Sequence, residues 1–408
     1  MNDTKKPGLL SVDEALAQLL AHALPPAASE WVATENALGR ILAAAQFSGV
    51  TVPPFDNSAM DGYAVRMLDL ALPRLRISQR IPAGSVGQPL EAGAAARIFT
   101  GAAIPEHCDA VVMQENCTAE NDEITINKAP KSGENIRRAG EDIVAGAEIL
   151  PAGIRLRPQE MGLAASCGLA RLPVYRKLRV ATFFTGDEIV MPGQALQAGQ
   201  IYNSNRFVLT GFLESMGCQV IDLGIIPDNF DATVLALKTA AAQADLILTS
   251  GGVSVGEEDH VKAAVEKIGK IDLWKIAVKP GKPLAFGTAA GTPFIGLPGN
   301  PVSAFVTFCI FVRPYLLRSQ GVAQLAMPCY PLCAAFDWRK PDMKRREFLR
   351  ARMEFDENGN PLARIFPHQG SGVLTSCTWA DGLIEVPPAT AIQRGESVKF
   401  IPFSGLFP

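Results

Sequence analysis

Several familiar chemistries are missing from this chain. Its eight cysteines are scattered, the nearest two being Cys329 and Cys333, and no CxxC pair occurs. The four histidines, His22, His107, His260 and His368, form no HExxH. Neither a zinc site nor a disulfide framework is expected, and this cysteine usage suits a reducing, cytoplasmic setting. The absence of GxxxxGKS and GxxxxGKT excludes a P-loop nucleotide site, and the absence of GxGxxG counts against a dinucleotide enzyme. Charge of one sign is also missing. With 38 basic and 41 acidic residues the net charge is -3, so nothing draws the whole chain to nucleic acid or an anionic membrane. Any anion site must be local. The N-terminus, MNDTKKPGLLSVDE, has no apolar core of the secretory kind. The longest apolar stretch, Ala304–Val312, falls short of the roughly 20 residues a membrane span needs.

The chain does have ample material for folding. Its 408 residues, 48% hydrophobic, are enough for about two to four domains with their own cores. The organising stretch is Leu248–Asp259, LTSGGVSVGEED. An apolar strand there opens into Ser250-Gly251-Gly252, where backbone N–H groups can approach a ligand closely. Glu257, Glu258 and Asp259 then head the next helix, within reach of a hard cation.

Taken in order, Ser11 with Glu14 marks a capped helix whose apolar face is Leu16, Leu19 and Leu20. Pro25-Pro26 ends it. Val52–Val65, VPPFDNSAMDGYAV, is a loop that serves as a surface Ω-loop or a site lid. From Leu75 to Leu150, short runs such as Ala96–Phe99, Asp109–Gln114 and Glu123–Asn127 predict a small β domain. Leu156–Leu169 predicts a helix that rejoins the N-terminal helices, making the β segment an insertion.

From Leu178 the pattern is strand–helix–strand. Arg179–Phe184 runs into Thr185-Gly186-Asp187-Glu188, and Asn203-Ser204-Asn205 supplies caps for a helix over Arg206–Met216. Further strands are expected at Val220–Ile226, Trp274–Val278, Leu284–Gly287 and Phe294–Leu297. Leu297–Ser303, LPGNPVS, starts a helix with Asn300 as cap and Pro301 in the first turn, a natural anion site. A doubly wound sheet follows, with its ligand crevice beyond the strands' carboxyl ends, where TGDE, TSGGVSVG and LPGN all fall. Beside them KIAVKPGKP sets Lys279 and Lys282 on a stiff Pro-Gly turn suited to an oxyanion. Beyond Gln320, short strands including Glu347–Met353 predict a C-terminal β domain carrying Arg350 and a loop at His368–Gly372.

Nine blocks in order, PPFDNSAMDGYAV, TGAAIPEHCDAVVMQE, NIRRAGEDI, FFTGDEIV, IYNSNR, SGGVSVGEEDH, KPGKPLAFG, LPGNPVSAF and HQGS, resemble the MoeA-type molybdenum insertases, relatives of the gephyrin E domain. The resemblance spans Pro53 to Ser371. It implies a multidomain α/β fold of four parts: a discontinuous helical domain (1–46 with 147–176), an inserted small β domain (47–146), a doubly wound molybdopterin-binding domain (177–326) and a C-terminal β barrel (327–408). It also implies a homodimer whose active sites are shared between subunits.

The implied reaction inserts molybdate into adenylylated molybdopterin and releases AMP with Mg²⁺ assistance. On the family pattern Lys279, Lys282, Arg350, Ser254 and Ser371 hold molybdate, a tetrahedral dianion suited to fixed cations and short donors. Gly251, Gly252, Gly299 and Asn300 cradle the pterin phosphate, with Thr100, Ser250, Lys275 and Pro298 also expected to bind substrate. Asp187, Glu188, Asp228 and Asp259 are the expected Mg²⁺ ligands. Asp61, Asp142, Glu188, Asp259 and Lys279 carry the catalysis, with Asp61 and Asp142 arriving from the partner. Asn203 stands where many relatives have an acid and is not expected to bind metal. Two alternatives are a molybdopterin adenylyltransferase, which needs only about 150 residues, and a non-catalytic gephyrin-like scaffold, whose long linker and additional domain this sequence lacks.

Overall fold

The computed structural model describes residues 9–23, 28–252, 260–281 and 283–406. Ser254, Glu257, Glu258, Asp259 and Lys282 lie outside the described residues.

At the centre is a six-stranded sheet in the order Gln219–Ile226, Arg179–Thr185, Leu246–Ser250, Thr292–Leu297, Pro283–Ala289, Gly269–Lys275. Its central strands Leu246–Ser250 and Thr292–Leu297 are buried along almost their whole length because both faces are covered. Alternate residues divide between two cores, as a period of two requires. Val180, Phe184, Leu246, Leu248, Ile295 and Leu297 join the core beneath helices Ser204–Ser215 and Pro301–Thr307. Ala181, Phe183, Ile247 and Phe294 join the opposite core, beneath helices Phe230–Gln243 and His260–Ile268.

The sheet differs from a doubly wound one along one edge. The first four strands are parallel, Pro283–Ala289 runs antiparallel to them, and the edge strand Gly269–Lys275, antiparallel to Pro283–Ala289, returns to their direction. The cause is local: Ala290 and Gly291 both take positive φ (48° and 84°), the geometry of a two-residue hairpin turn. The strand expected at Trp274–Val278 therefore sits earlier, at Gly269–Lys275, and Val278–Lys279 pairs with the C-terminal domain instead.

Residues 301–319 form one continuous helical rod with a π-helical segment at Phe308–Val312. By length and composition it could cross a membrane, but 89% of it is buried within the protein, the setting of a core helix.

The N-terminal helix, Val12–Ala21, carries the expected capping box between Ser11 and Glu14. Its packing does not follow expectation. Val12, Ala15 and Leu19 enter the core of the central sheet with Leu178, Phe286 and Tyr315, not the unit containing helix Pro158–Ser166. That unit has its own core of Ala37, Leu42, Leu150, Leu156, Ala164, Leu172 and Val174, built around the antiparallel pair Ser29–Ala33 and Arg171–Tyr175. An apolar face calls for a partner surface but does not say which one.

The inserted segment forms a six-stranded sheet that includes Gly62–Val65, Ala94–Ile98 and Ala110–Met113, as the sequence predicts. Gly62 is fixed by space. A Cβ there would lie 1.9 Å from the Val112 carbonyl oxygen. Gly62→Ala is therefore expected to destabilise this domain by about 3 kcal/mol or more, seen as a lowered thermal unfolding midpoint. The C-terminal strands Tyr330–Ala334, Arg346–Phe355, Pro361–Ile365, Gly382–Val386 and Ser397–Pro402 close into a barrel through the pairing of Arg346–Phe355 with Gly382–Val386.

Candidate active site

The carboxyl ends of the parallel strands meet the barrel around a cleft of about 610 Å³. Lys279, Pro280, Gly281 and Pro283 supply one part of its wall, and three further loops much of the rest. Gly251 and Gly252 follow strand Leu246–Ser250, and Pro298, Gly299 and Asn300 follow strand Thr292–Leu297. Gly370 and Ser371 come from the barrel. Gly251 and Gly252 take φ of 91° and 64°, and a Cβ on Gly252 would strike the Val261 side chain at 2.4 Å. The two loops also approach each other closely, since a Cβ on Gly299 would lie 3.7 Å from the Gly251 Cα. Small residues are thus a condition of the cleft existing. Asn300 stands at the N-cap position of the buried helix that begins at Pro301, with no side-chain capping bond among the described residues, so the helix's positive end faces the cavity.

Lys279 and Glu188 line the same cavity. The Lys279 ammonium donates to Glu347 Oε1 at 2.8 Å, and Glu347 is only 1% exposed. Glu188 follows Gly186, whose φ is 144°, and folds its carboxylate over the place where a side chain would stand. Asp187 is exposed on the same turn. A smaller hollow of about 370 Å³ shares Glu188, Gly251, Gly299 and Asn300 with the cleft and adds Ser250, Asn203 and Asn205. There Ser250 donates to the Pro298 carbonyl at 2.8 Å. Asn205 Nδ2 donates to Ser250 Oγ and to the Gly299 carbonyl, at 2.8 and 2.7 Å. Asn205 Oδ1 and Asn203 Nδ2, both buried, have no hydrogen-bond partner among the described residues. Asn203 is instead the helix cap that its sequence position predicts, accepting from Arg206 N–H.

Other expected residues stand elsewhere. Arg350 does not line the cleft. It is fully buried behind the barrel loop, donating to Ser376 Oγ at 3.0 Å and to the Phe348 and Gly370 carbonyls at 3.3 Å. Burial lowers its pKa to about 10. Its place behind the cleft wall suits shaping the loop more than contact with a ligand. Arg350→Ala is expected to cost about 3 kcal/mol or more, from the cavity and the carbonyls left without donors; urea unfolding checks it. Lys275 is exposed at the end of the antiparallel edge strand, where its carbonyl accepts from Leu10 N–H at 3.0 Å. Asp228 is half-buried just beyond strand Gln219–Ile226 and is not among the lining residues of the cleft.

Asp61 and Thr100 meet on the inserted domain, Asp142 is exposed on another of its loops, and none of the three lines the cleft. Asp61 Oδ1 accepts from both the Thr100 N–H and its hydroxyl, each at 2.8 Å. Those two donors, the backbone one first, hold its carboxyl below the ordinary carboxylate range. Arg97 steadies the turn by donating to the Gly62 carbonyl at 3.0 Å and lying over the Tyr63 ring. The loop bearing Asp142 is tied to the Pro53 loop by Gly140 N–H to the Pro53 carbonyl at 3.0 Å, and Arg138 pairs with Asp56. Two residues that the sequence reading passed over do reach the cleft, Arg345 and Gln369. Gln369 lies within the HQGS block, but Arg345 sits in the basic run Lys344-Arg345-Arg346, which belongs to none of the nine blocks.

Glycine loops, a helix N-terminus and a fixed cation at the carboxyl ends of an α/β sheet define a class: an enzyme that handles a phosphorylated or oxyanionic ligand. Comparison with known proteins narrows this. Residues 10–168 match the MoeA N-terminal region (domain I and II), residues 181–318 a probable molybdopterin binding domain, and residues 333–403 the MoeA C-terminal region (domain IV). The chain is 42% identical to the molybdopterin molybdenumtransferase of Haemophilus influenzae over 98% of its own length and 100% of that protein. With that of Bacillus subtilis it shares 34% over 96% and 94%. A crystal structure of the MoeA protein from Pyrococcus horikoshii superposes with a TM-score of 0.78 at 32% identity, covering 97% of this chain and 99% of that one. The chain belongs to the MoeA family of molybdopterin molybdenumtransferases, transferases of molybdenum cofactor biosynthesis.

Proposed function

We propose that this chain inserts molybdate into adenylylated molybdopterin and releases AMP with Mg²⁺ assistance, as a cytoplasmic homodimer. The observation that carries the reading is the placing of the Lys279 ammonium in one cleft with the Gly251-Gly252 and Pro298-Gly299-Asn300 loops. The glycine loops and helix start take the pterin phosphate, close to bare backbone. Lys279 faces the dianion, with Ser371 beside it. The orphaned Asn205 and Asn203 atoms offer a donor and an acceptor in the adjoining hollow, for a polar ring edge.

Asp187 and Glu188 fit a hard cation, being adjacent carboxylates on the turn at the cleft's edge. Among the described residues no group of three or more acids, histidines or cysteines gathers into a cage. An ion that keeps several waters needs only one or two protein carboxylates. When bound, Mg²⁺ supplies charge neutralisation at the phosphate oxygens.

Asp61, Thr100 and Asp142 are exposed on the inserted domain and do not line the cleft, which favours their serving the partner's site. The eight free thiols favour a reducing compartment. Adenylyl transfer is separated from insertion by supplying the purified protein with molybdopterin and ATP. No pyrophosphate is expected from that mixture, whereas molybdopterin–AMP with molybdate should yield AMP; pyrophosphate formation would assign the other reaction.

A further inference from the structure

Another cavity, of about 480 Å³, lies where the unit containing helix Pro158–Ser166 meets the central sheet. Such a volume is ordinary for a small-molecule site, about 300–1,000 Å³. Segments 38–41 and 155–158 supply one wall, segment 214–217 and Gln320 the other, and segment 175–178 links the two. Strand Arg179–Thr185 starts beside this cavity and ends at the turn that brings Glu188 to the catalytic cleft, which puts the two hollows roughly 20 Å apart. Five cations line it, Arg40, Arg155, Arg157, Arg176 and Lys177, against one carboxylate, the exposed Glu214. Three of the five are matched already, Arg40 by Glu30, Arg157 by Glu160 and Arg176 by Asp245. Arg155 and the exposed Lys177 make no ion pair among the described residues.

Arg155 is held by neutral groups alone. Its Nη1 donates to the Gly39 carbonyl at 3.0 Å, and its Nη2 to the Met216 carbonyl at 3.2 Å and to Gln320 Oε1 at 3.5 Å. These bonds fix the guanidinium across the joint and leave two of its five N–H groups, on Nε and Nη1, without a partner among the described residues. Burial lowers its pKa, as it does for any cation that has lost water and gained no carboxylate. Around it the surface is apolar: Ile41, Leu156, Leu178 and Met216 are buried, while Leu38 stands 60% exposed on the rim. We propose that this cavity binds a small amphipathic anion, a compact apolar body bearing one carboxylate, sulfonate or phosphate, with Arg155 and Lys177 taking the charge and Leu38, Leu156 and Met216 the body. A bare hydrated ion would leave the apolar wall unused, and a neutral ligand would leave Arg155 uncompensated. The occupant touches both units and so ties the joint together without entering the catalytic cleft.

The probe is 8-anilinonaphthalene-1-sulfonate, titrated by fluorescence into wild type, Arg155→Met, Arg155→Lys, Lys177→Ala, Leu38→Glu and Ser371→Glu. Its neutral counterpart, N-phenyl-1-naphthylamine, is run beside it. Wild type is expected to show one saturable site per chain for the sulfonate and binding at least about tenfold weaker for the neutral ring system, the scale of a charge-assisted hydrogen bond. Arg155→Met and Leu38→Glu should each weaken the sulfonate about tenfold or more, Lys177→Ala should weaken it less, and Arg155→Lys should keep part of the affinity. Ser371→Glu puts the same new charge in the catalytic cleft and should change nothing. Leu38 and Lys177 are exposed, so their variants report even where Arg155→Met fails to fold. No saturable binding to wild type, equal affinity for the neutral compound, or full affinity in both Leu38→Glu and Lys177→Ala overturns the proposal. A loss confined to Ser371→Glu does so too, since it seats the probe in the catalytic cleft.

Discussion

Lys279→Ala is expected to raise the KM for molybdate by about ten- to a hundredfold, the range for losing a charged hydrogen-bond donor, with a much smaller effect on molybdopterin–AMP. Equal losses for the two substrates would remove Lys279 from the oxyanion. The structure adds a second expectation. Glu347 is almost completely buried, and the substitution leaves its carboxylate without a cation, a change that typically costs about 3–5 kcal/mol. The variant should therefore unfold at lower temperature than wild type. Lys279→Ala/Glu347→Gln should recover part of that stability without recovering molybdate use. The separation matters, because a loss of activity from Lys279→Ala alone would mix substrate binding with fold stability.

Asp61→Ala should abolish AMP release, by about a hundredfold or more, the scale of a lost catalytic group. The dimer should survive. Asp61 and Thr100 are both exposed, so the two Thr100 donors released by the change turn to water and no buried group is orphaned. Loss of the fold would instead make the DGY loop structural. Because Asp61 stands apart from the cleft lining, the sharper experiment mixes subunits. After exchange, Asp61→Ala and Lys279→Ala protomers should regain activity at roughly a quarter of the sites, since in a mixed dimer one site receives both intact residues. No recovery would place both residues in the same subunit's site.

What the sequence revealed follows from local physics. The apolar runs Arg179–Thr185 and Leu246–Ser250 announce strands covered on both faces, Ser11 with Glu14 announces a helix start, and Asn203 and Asn300 announce helix caps; each signal depends on a few neighbouring residues. What stayed hidden depends on which surfaces meet. Helix Val12–Ala21 shows an apolar stripe, but the stripe does not say that Asp13 will be gripped by Arg346, 333 residues on. The reversal of Pro283–Ala289 hangs on the two positive-φ residues Ala290 and Gly291. The place of Arg350 has a similar origin. From Phe348 to Ala351 every residue is buried, so alternation in the sequence cannot show that Arg350 shares the face of Phe348, while Leu349 and Ala351 enter the barrel core.

The most direct test is AMP release from the purified protein given molybdopterin–AMP and Mg²⁺, with molybdate present or omitted. Release that depends on molybdate, saturates with it and fails in Lys279→Ala is the predicted result. Tight binding of molybdopterin–AMP with no release under either condition would contradict it, and would make the cleft a binding site without transfer.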